Sequence, residues 1–141
     1  VQGLLVAGGT VDAPIGRHAQ VRTRMAVNEG GRPAISHYRI EKKFRAHTLL
    51  RVKLESGRTH QIRVHMAHIG HPLLGDDLYG GGFKTKANHL APMAQMALRA
   101  LGRQALHAAV LGFEHPGTGA VLRFESAIPE DMQELQRELA R

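Results

Sequence analysis

The order of hydrophobic patterns along the chain predicts an α+β fold: a mainly antiparallel sheet with flanking helices. Three observations carry that expectation. A run alternating at Leu50, Val52 and Leu54 is followed at once by apolar residues at helical spacing, Ile62, Met66 and Ile69. Strand-like stretches are separated by short turns such as Arg45-Ala46 and Gly117-Thr-Gly119, which favours hairpins over long crossovers. Two more helical stripes come late in the chain, without the strand–helix alternation of a parallel sheet. With 141 residues there is one domain, or part of one, with enough chain to bury a core.

Residues 1–6 read as the end of an apolar strand, followed by a Gly8-Gly9 turn and Thr10-Val11-Asp12. Beginning on such a strand, without a starting methionine, the chain is expected to be a piece of a longer protein. Arg17, His18, Arg22, Arg24 and Arg32 then bracket Met25-Ala-Val27, a basic arm or hairpin with few apolar anchors. Ala34 to Phe44 and His47 to Glu55 read as paired strands, the second with the cleaner buried face. A helix is expected from about Thr59 to Ile69, with Thr59 accepting from a first-turn N–H, Gly70 as the left-handed stop and Pro72 preventing continuation. Beyond Tyr79-Gly-Gly-Gly82 lies a polar stretch with Lys84 and Lys86. A second helix follows over about Pro92 to Leu101, with Met93, Met96, Ala97 and Ala100 on its core side and Gly102 closing it. Gln104 to Glu114 reads as a strand whose partner carries Val121, Phe124 and Ala127. Pro129-Glu-Asp opens the last helix, with its acids where the dipole favours them and Met132, Leu135 and Leu139 as its stripe.

Nineteen Lys and Arg against twelve Asp and Glu leave a charge of +7, which favours a polyanionic partner. The absence of cysteine excludes disulfides and thiolate metal sites. No apolar run approaches the roughly 20 residues that span a membrane, and no signal-peptide pattern is visible, so a cytoplasmic protein is expected.

Chemistry should concentrate between Ser56 and Gly80. Arg58, Arg63 and four histidines, His60, His65, His68 and His71, crowd one short helix with no acid between Glu55 and Asp76. Zinc is disfavoured, because His60 and His65 diverge and Arg63 lies among the ring nitrogens. No serine occupies a nucleophile elbow, and the adjacent Asp76 and Asp77 point apart, which makes a poor acid–base pair. A phosphate cradle fits better, with Arg58, Thr59 and His60 at the helix start. Arg63, one turn further in, reads as a cation in need of a carboxylate that the neighbouring sequence does not supply.

Gly57-Arg-Thr-His-Gln-Ile-Arg-Val-His65, with Gly70-His-Pro-Leu-Leu-Gly-Asp76 and Tyr79-Gly80, resembles the C-terminal motif of the RluA family of RNA pseudouridine synthases. Flanking stretches extend the likeness over nearly the whole chain: Gly9 to His18, Arg22 with Met25-Ala-Val27, Ser36-His-Tyr38, Arg103 to Ala108, Phe113 to Pro116 and Ala127-Ile-Pro129. Those segments are most similar to the D type among the ribosomal large-subunit members. The resemblance implies that residues 1–141 are the C-terminal part of a catalytic domain. That domain isomerises uridine in RNA, with ribosomal RNA the expected substrate, and uses no cofactor and no metal. It implies that Arg63 pairs with a catalytic aspartate and that Leu74 lines the pocket. Arg17, His18, Arg22, Arg24, Arg58, His60, Lys84 and Lys86 are expected to follow RNA phosphates. The family's His-Arg-Leu-Asp motif and the tyrosine that follows it are missing from these residues. The chain alone is therefore expected to be inactive, lacking the N-terminal half of its own domain. The competing readings are a non-catalytic RNA-binding module and, more remotely, a zinc protein.

Overall fold

The computed structural model describes residues 1–81 and 90–141. Lys84 and Lys86 lie outside the described residues. The elements run β1 (Gly9–Asp12), β2 (Ile15–Arg17), β3 (Met25–Val27), β4 (Ile35–Lys43), β5 (Thr48–Leu54), α1 (Gln61–His68), α2 (Pro92–Leu101), β6 (Val110–Glu114), β7 (Val121–Glu125) and α3 (Glu130–Leu139). All described pairings are antiparallel: a sheet in the order β1-β4-β5 and two hairpins, β2-β3 and β6-β7. The α+β expectation holds.

Helix α1 lies against the three-stranded sheet through Met66, which meets Val11, Ala13 and Leu73, with Ile62, Ile69 and Leu50 packed around them. Val64, on the neighbouring flank of the helix, joins Ile15, Ala34 and Tyr79. A separate core joins α2 and α3 through Ala97, Leu98, Leu101, Met132 and Leu135, and Leu74 plugs into it from the loop after α1. The Leu73-Leu74 pair thus staples two cores together, one residue in each. Gly75 makes this possible. Its φ is +77°, and a Cβ there would come within 2.1 Å of the Arg103 carbonyl oxygen, so any side chain would push the strap off the exit of α2. The Ala105 N–H donates to the Leu74 carbonyl at 2.8 Å and fastens the same crossing.

Several expectations are corrected. Residues 1–6 form no strand; Gln2 makes one bridge with His47, and its N–H donates to the Pro72 carbonyl. Gly9 opens β1 instead of forming a turn, because Tyr38 lies across it: a Cβ at Gly9 would stand 2.9 Å from the Tyr38 hydroxyl. The basic hairpin is anchored after all, since Ile15 is buried. Met93 and Met96 are exposed, Met96 at 59%, because Ala94, Ala97, Leu98 and Leu101 form the buried face and the alanines let α2 approach α3 closely. The strand expected from Gln104 begins only at Val110; before it, the Ala105 N–H donates to Leu74 and the Leu106 N–H to Gln104 instead of to a neighbouring strand.

Candidate functional site

Helix α1 starts at Gln61, preceded by His60 in the left-handed region at φ 55°. Thr59 is exposed and makes no cap. Gln61 instead fixes the approach to the helix: its Oε1 accepts from the Arg58 N–H at 3.0 Å and from the Ser56 hydroxyl at 2.9 Å. Its Nε2 donates to the Ile35 carbonyl and to Ser36 Oγ. A glutamine at the first helical position thus braces the turn that leads into α1, without capping the helix. The left-handed turn at His60 aims the imidazole at Tyr79, whose hydroxyl is 2.8 Å from Nδ1.

The polar thread continues inside. Ser36 Oγ lies 2.7 Å from His65 Nδ1, and His65 Nε2 lies 2.8 Å from the Ala13 carbonyl. A carbonyl only accepts, so Nε2 carries the proton and the serine hydroxyl donates to Nδ1. His65 is fully buried, so this chain fixes α1 against β1 and β4. It is a structural histidine, as the sequence suggested. His71 Nδ1 meets the Gln2 carbonyl, and His68 is exposed; His60, His65 and His71 thus serve three different partners.

Arg63 is the charge centre, and the structure corrects the view that its partner is missing nearby. Nε donates to Asp76 Oδ2 at 2.9 Å and Nη2 donates to Oδ1 at 2.8 Å, a bidentate pair. The Arg63 side chain is 14% exposed and that of Asp76 0%. Asp76 Oδ1 also accepts from the Leu78 and Tyr79 N–H groups at 3.2 and 3.1 Å. Burial pushes the Asp76 carboxyl up, but the Arg63 hydrogen bond, the two loop N–H groups and the arginine charge outweigh it and hold the carboxyl below the ordinary range. The same hydrogen bond, opposed by burial and aided by the carboxylate charge, raises Arg63.

Tyr79 is the hub. Its hydroxyl accepts from the Met25 N–H at 3.0 Å and meets His60. The Arg63 and Arg24 guanidinium carbons lie 5.0 and 5.3 Å from its ring centroid, within cation–π range. Arg24 Nε is buried without a hydrogen-bond partner, and no acid pairs with Arg24 among the described residues. Two guanidiniums therefore share one ring, one neutralised by Asp76 and one not.

The other expected cations among the described residues lie in the β2–β3 hairpin and just before α1. Arg58 Nε donates to the Pro33 carbonyl at 2.8 Å. Arg17 is exposed on β2 and donates to the Arg22 carbonyl. His18 Nδ1 accepts from the Gln20 and Val21 N–H groups, so its ring closes the turn between β2 and β3. Arg22 is exposed on that turn. Leu74, expected at a pocket, is 3% exposed and packs in the α2–α3 core. Asp76 and Tyr79 escaped the sequence reading as site residues. A signal existed: Asp76 follows a glycine and precedes two N–H groups at the spacing with which aspartate closes a turn on itself.

A family model described as RNA pseudouridylate synthase matches residues 3–68. A ribosomal large subunit pseudouridine synthase D from Pseudomonas aeruginosa is 55% identical, over 93% of this chain and 41% of its own length. The Escherichia coli protein of that name is 54% identical, over 94% of this chain and 40% of its own length. The chain thus spans about two-fifths of the length of these curated relatives. In fold it is similar to the solved structure of human RNA pseudouridylate synthase domain containing 1, with a TM-score of 0.65 at 24% identity over 89% of this chain and 51% of that one.

Proposed function

We propose that the chain is part of an RNA pseudouridylate synthase and supplies the arginine-bearing part of a site that converts uridine to pseudouridine in large-subunit ribosomal RNA. The supporting observation is Arg63: a nearly buried guanidinium on the longest family motif, held by two N–H groups with three left over. In this reading those remaining donors face the aspartate that acts at the sugar, which comes from a region of the relatives that this chain does not cover. The target uridine is flipped out of its stack to reach it. The glycosidic N1–C1′ bond is exchanged for C5–C1′ while N1 gains a proton and C5 loses one, so neither oxidant nor cofactor is consumed. Work on ribosomal RNA would place the protein in the cytoplasm.

The turn between β2 and β3 supplies the RNA contact in this reading. Arg22 is exposed there, Arg17 flanks it, and Arg24 bridges from the turn to Tyr79, with Arg58 and His60 at the start of α1. Leu74 acts only indirectly on the pocket, by holding the strap that carries Asp76 and Tyr79.

The test is pseudouridine formation on transcribed large-subunit ribosomal RNA. The chain alone gives none, whereas the same residues within a polypeptide carrying the rest of the catalytic domain give product. Turnover by the chain alone would overturn the division of the site, and RNA binding without turnover in the longer polypeptide would leave a binding module. Neutralising Arg22 and Arg24 together lowers RNA affinity and flattens its dependence on salt by about 0.7 per lost single-strand phosphate contact. An unchanged slope removes both from the contact surface.

A further inference from the structure

We propose that Asp76 is a positioning residue: it grips Arg63 permanently by one edge of the guanidinium, so that the other edge is held ready for a second anion in the site. The inference rests on the proposed function for the identity of that second anion, a carboxylate at the reacting sugar, but the geometry of the grip stands on this chain alone.

Arginine has five N–H donors, and Asp76 takes one on Nε and one on Nη2. Both Nη1 hydrogens and the second Nη2 hydrogen are untouched by Asp76; one Nη1 hydrogen and that Nη2 hydrogen form the end edge of the fork, which can itself take a carboxylate or phosphate through two bonds. For Arg63 to serve a second anion it could either leave Asp76 or keep it. Leaving is the costly route. Asp76 has no solvent exposure, and its carboxylate would be stranded in the interior with only the two loop N–H groups to answer it. Nor can Asp76 follow the arginine. Its Oδ1 closes the loop over Leu78 and Tyr79, its carbonyl accepts from the Gly80 N–H at 2.9 Å, and Gly75 behind it is wedged against Arg103. The grip therefore stays closed, and the second anion joins an existing pair.

Two consequences separate this arrangement from a lone arginine. First, the guanidinium plane is fixed before the second anion arrives, by the same loop that carries Tyr79 against its face. Second, Asp76 offsets the charge of Arg63, so an incoming carboxylate meets orientation and hydrogen bonds without the full pull of an unpaired cation, and it retains more of its nucleophilicity. Arg24, which no acid neutralises among the described residues, then stands as the net positive charge beside the same ring.

The experiment compares Asp76→Asn, Arg63→Met and the double variant in the longer polypeptide that makes pseudouridine, each first checked for an unchanged far-ultraviolet spectrum and cooperative melting. Asparagine keeps an oxygen for the Leu78 and Tyr79 N–H groups but offers no carboxylate to Arg63. Asp76→Asn is expected to lower kcat about 100-fold, the scale of a misplaced catalytic group, with KM changed less than about threefold. Added to Arg63→Met, it should cost nothing further. A loss of equal size in both backgrounds, or a rise in KM with kcat unchanged, would overturn the positioning role and leave Asp76 as a fold residue. A wild-type polypeptide without activity would sink the proposed function instead. In that case the chain itself decides the grip: nitrogen-15 spectra of Arg63 should show a slowly exchanging Nε–H that stays in place while Nη1 responds to added acetate. Release of the Nε–H by acetate, or an Nη1 signal indifferent to it, would refute the two-edge arrangement.

Discussion

Around Tyr79 the chain buries polar groups and answers nearly every one; along β6 and β7 it exposes apolar groups on a ladder of backbone hydrogen bonds. The first region joins α1, the β2–β3 hairpin and the loop from Gly75 to Gly80 through charged and hydroxyl contacts that span 13 to 54 residues of chain. The second is a five-pair ladder in which Val121 is 84% exposed, Leu111 59% and Phe124 54%. Its side-chain contacts lie at the surface: Phe113 stacks on Phe124, with centroids 5.8 Å apart, and Arg123 pairs with Glu125 at 2.7 Å, both largely exposed. What the contrast teaches is where identity matters. In the cluster each residue type is fixed by a donor or acceptor it must meet; in the hairpin the described side chains meet little, and alternation alone is at stake.

The largest effect should come from breaking the cluster at its centre. Asp76→Ala leaves a mostly buried guanidinium and two loop N–H groups unanswered, and should lower unfolding free energy by about 3–5 kcal/mol in a urea titration. A loss below about 1 kcal/mol would mean that the pair is exposed in solution, and the contrast with the hairpin would disappear. At the other end, Val121→Lys on β7 should change stability by less than about 0.5 kcal/mol, as an exposed substitution does. A loss of several kcal/mol there would show that the hairpin face is covered within this chain, which would break the comparison from the opposite side.

The hairpins and the helices were legible in the sequence because those features are local. The β4–β5 pair followed from alternation and a short turn, and α3 from a proline, two acids and a stripe of Met132 and Leu135. Gly102 stops α2 at φ 64°, and Gly70 takes φ 84° after α1, as glycines at helix ends should. The failures have a common cause in partners distant along the chain or hidden inside it. Thr59 looked like a cap because threonine is a common one, yet Gln61 was drawn back to Ser56 and Arg58 by the β4 contacts of its own amide. Met93 and Met96 looked like core because they are apolar, but close approach of α2 and α3 requires the alanine face. Arg63 was correctly read as a cation wanting a carboxylate. The acid lies 13 residues on, beyond the helix, where spacing alone does not tie it to Arg63. Nothing local announces that a turn-closing aspartate will also hold a helix arginine.

The grip of Asp76 on Arg63 is tested most directly by following the Arg63 Nε–H resonance of the nitrogen-15-labelled chain through an acid titration. A carboxyl held below its ordinary value of 3.8 contributes stability that is complete above that value and lost as the pH falls through the lowered one. The Arg63 signal should therefore be resolved and slowly exchanging at neutral pH, persist through pH 4, and vanish only at more acid pH together with the folded state. An Arg63 signal that merges with those of solvated arginines at neutral pH would contradict the pair and the site built on it.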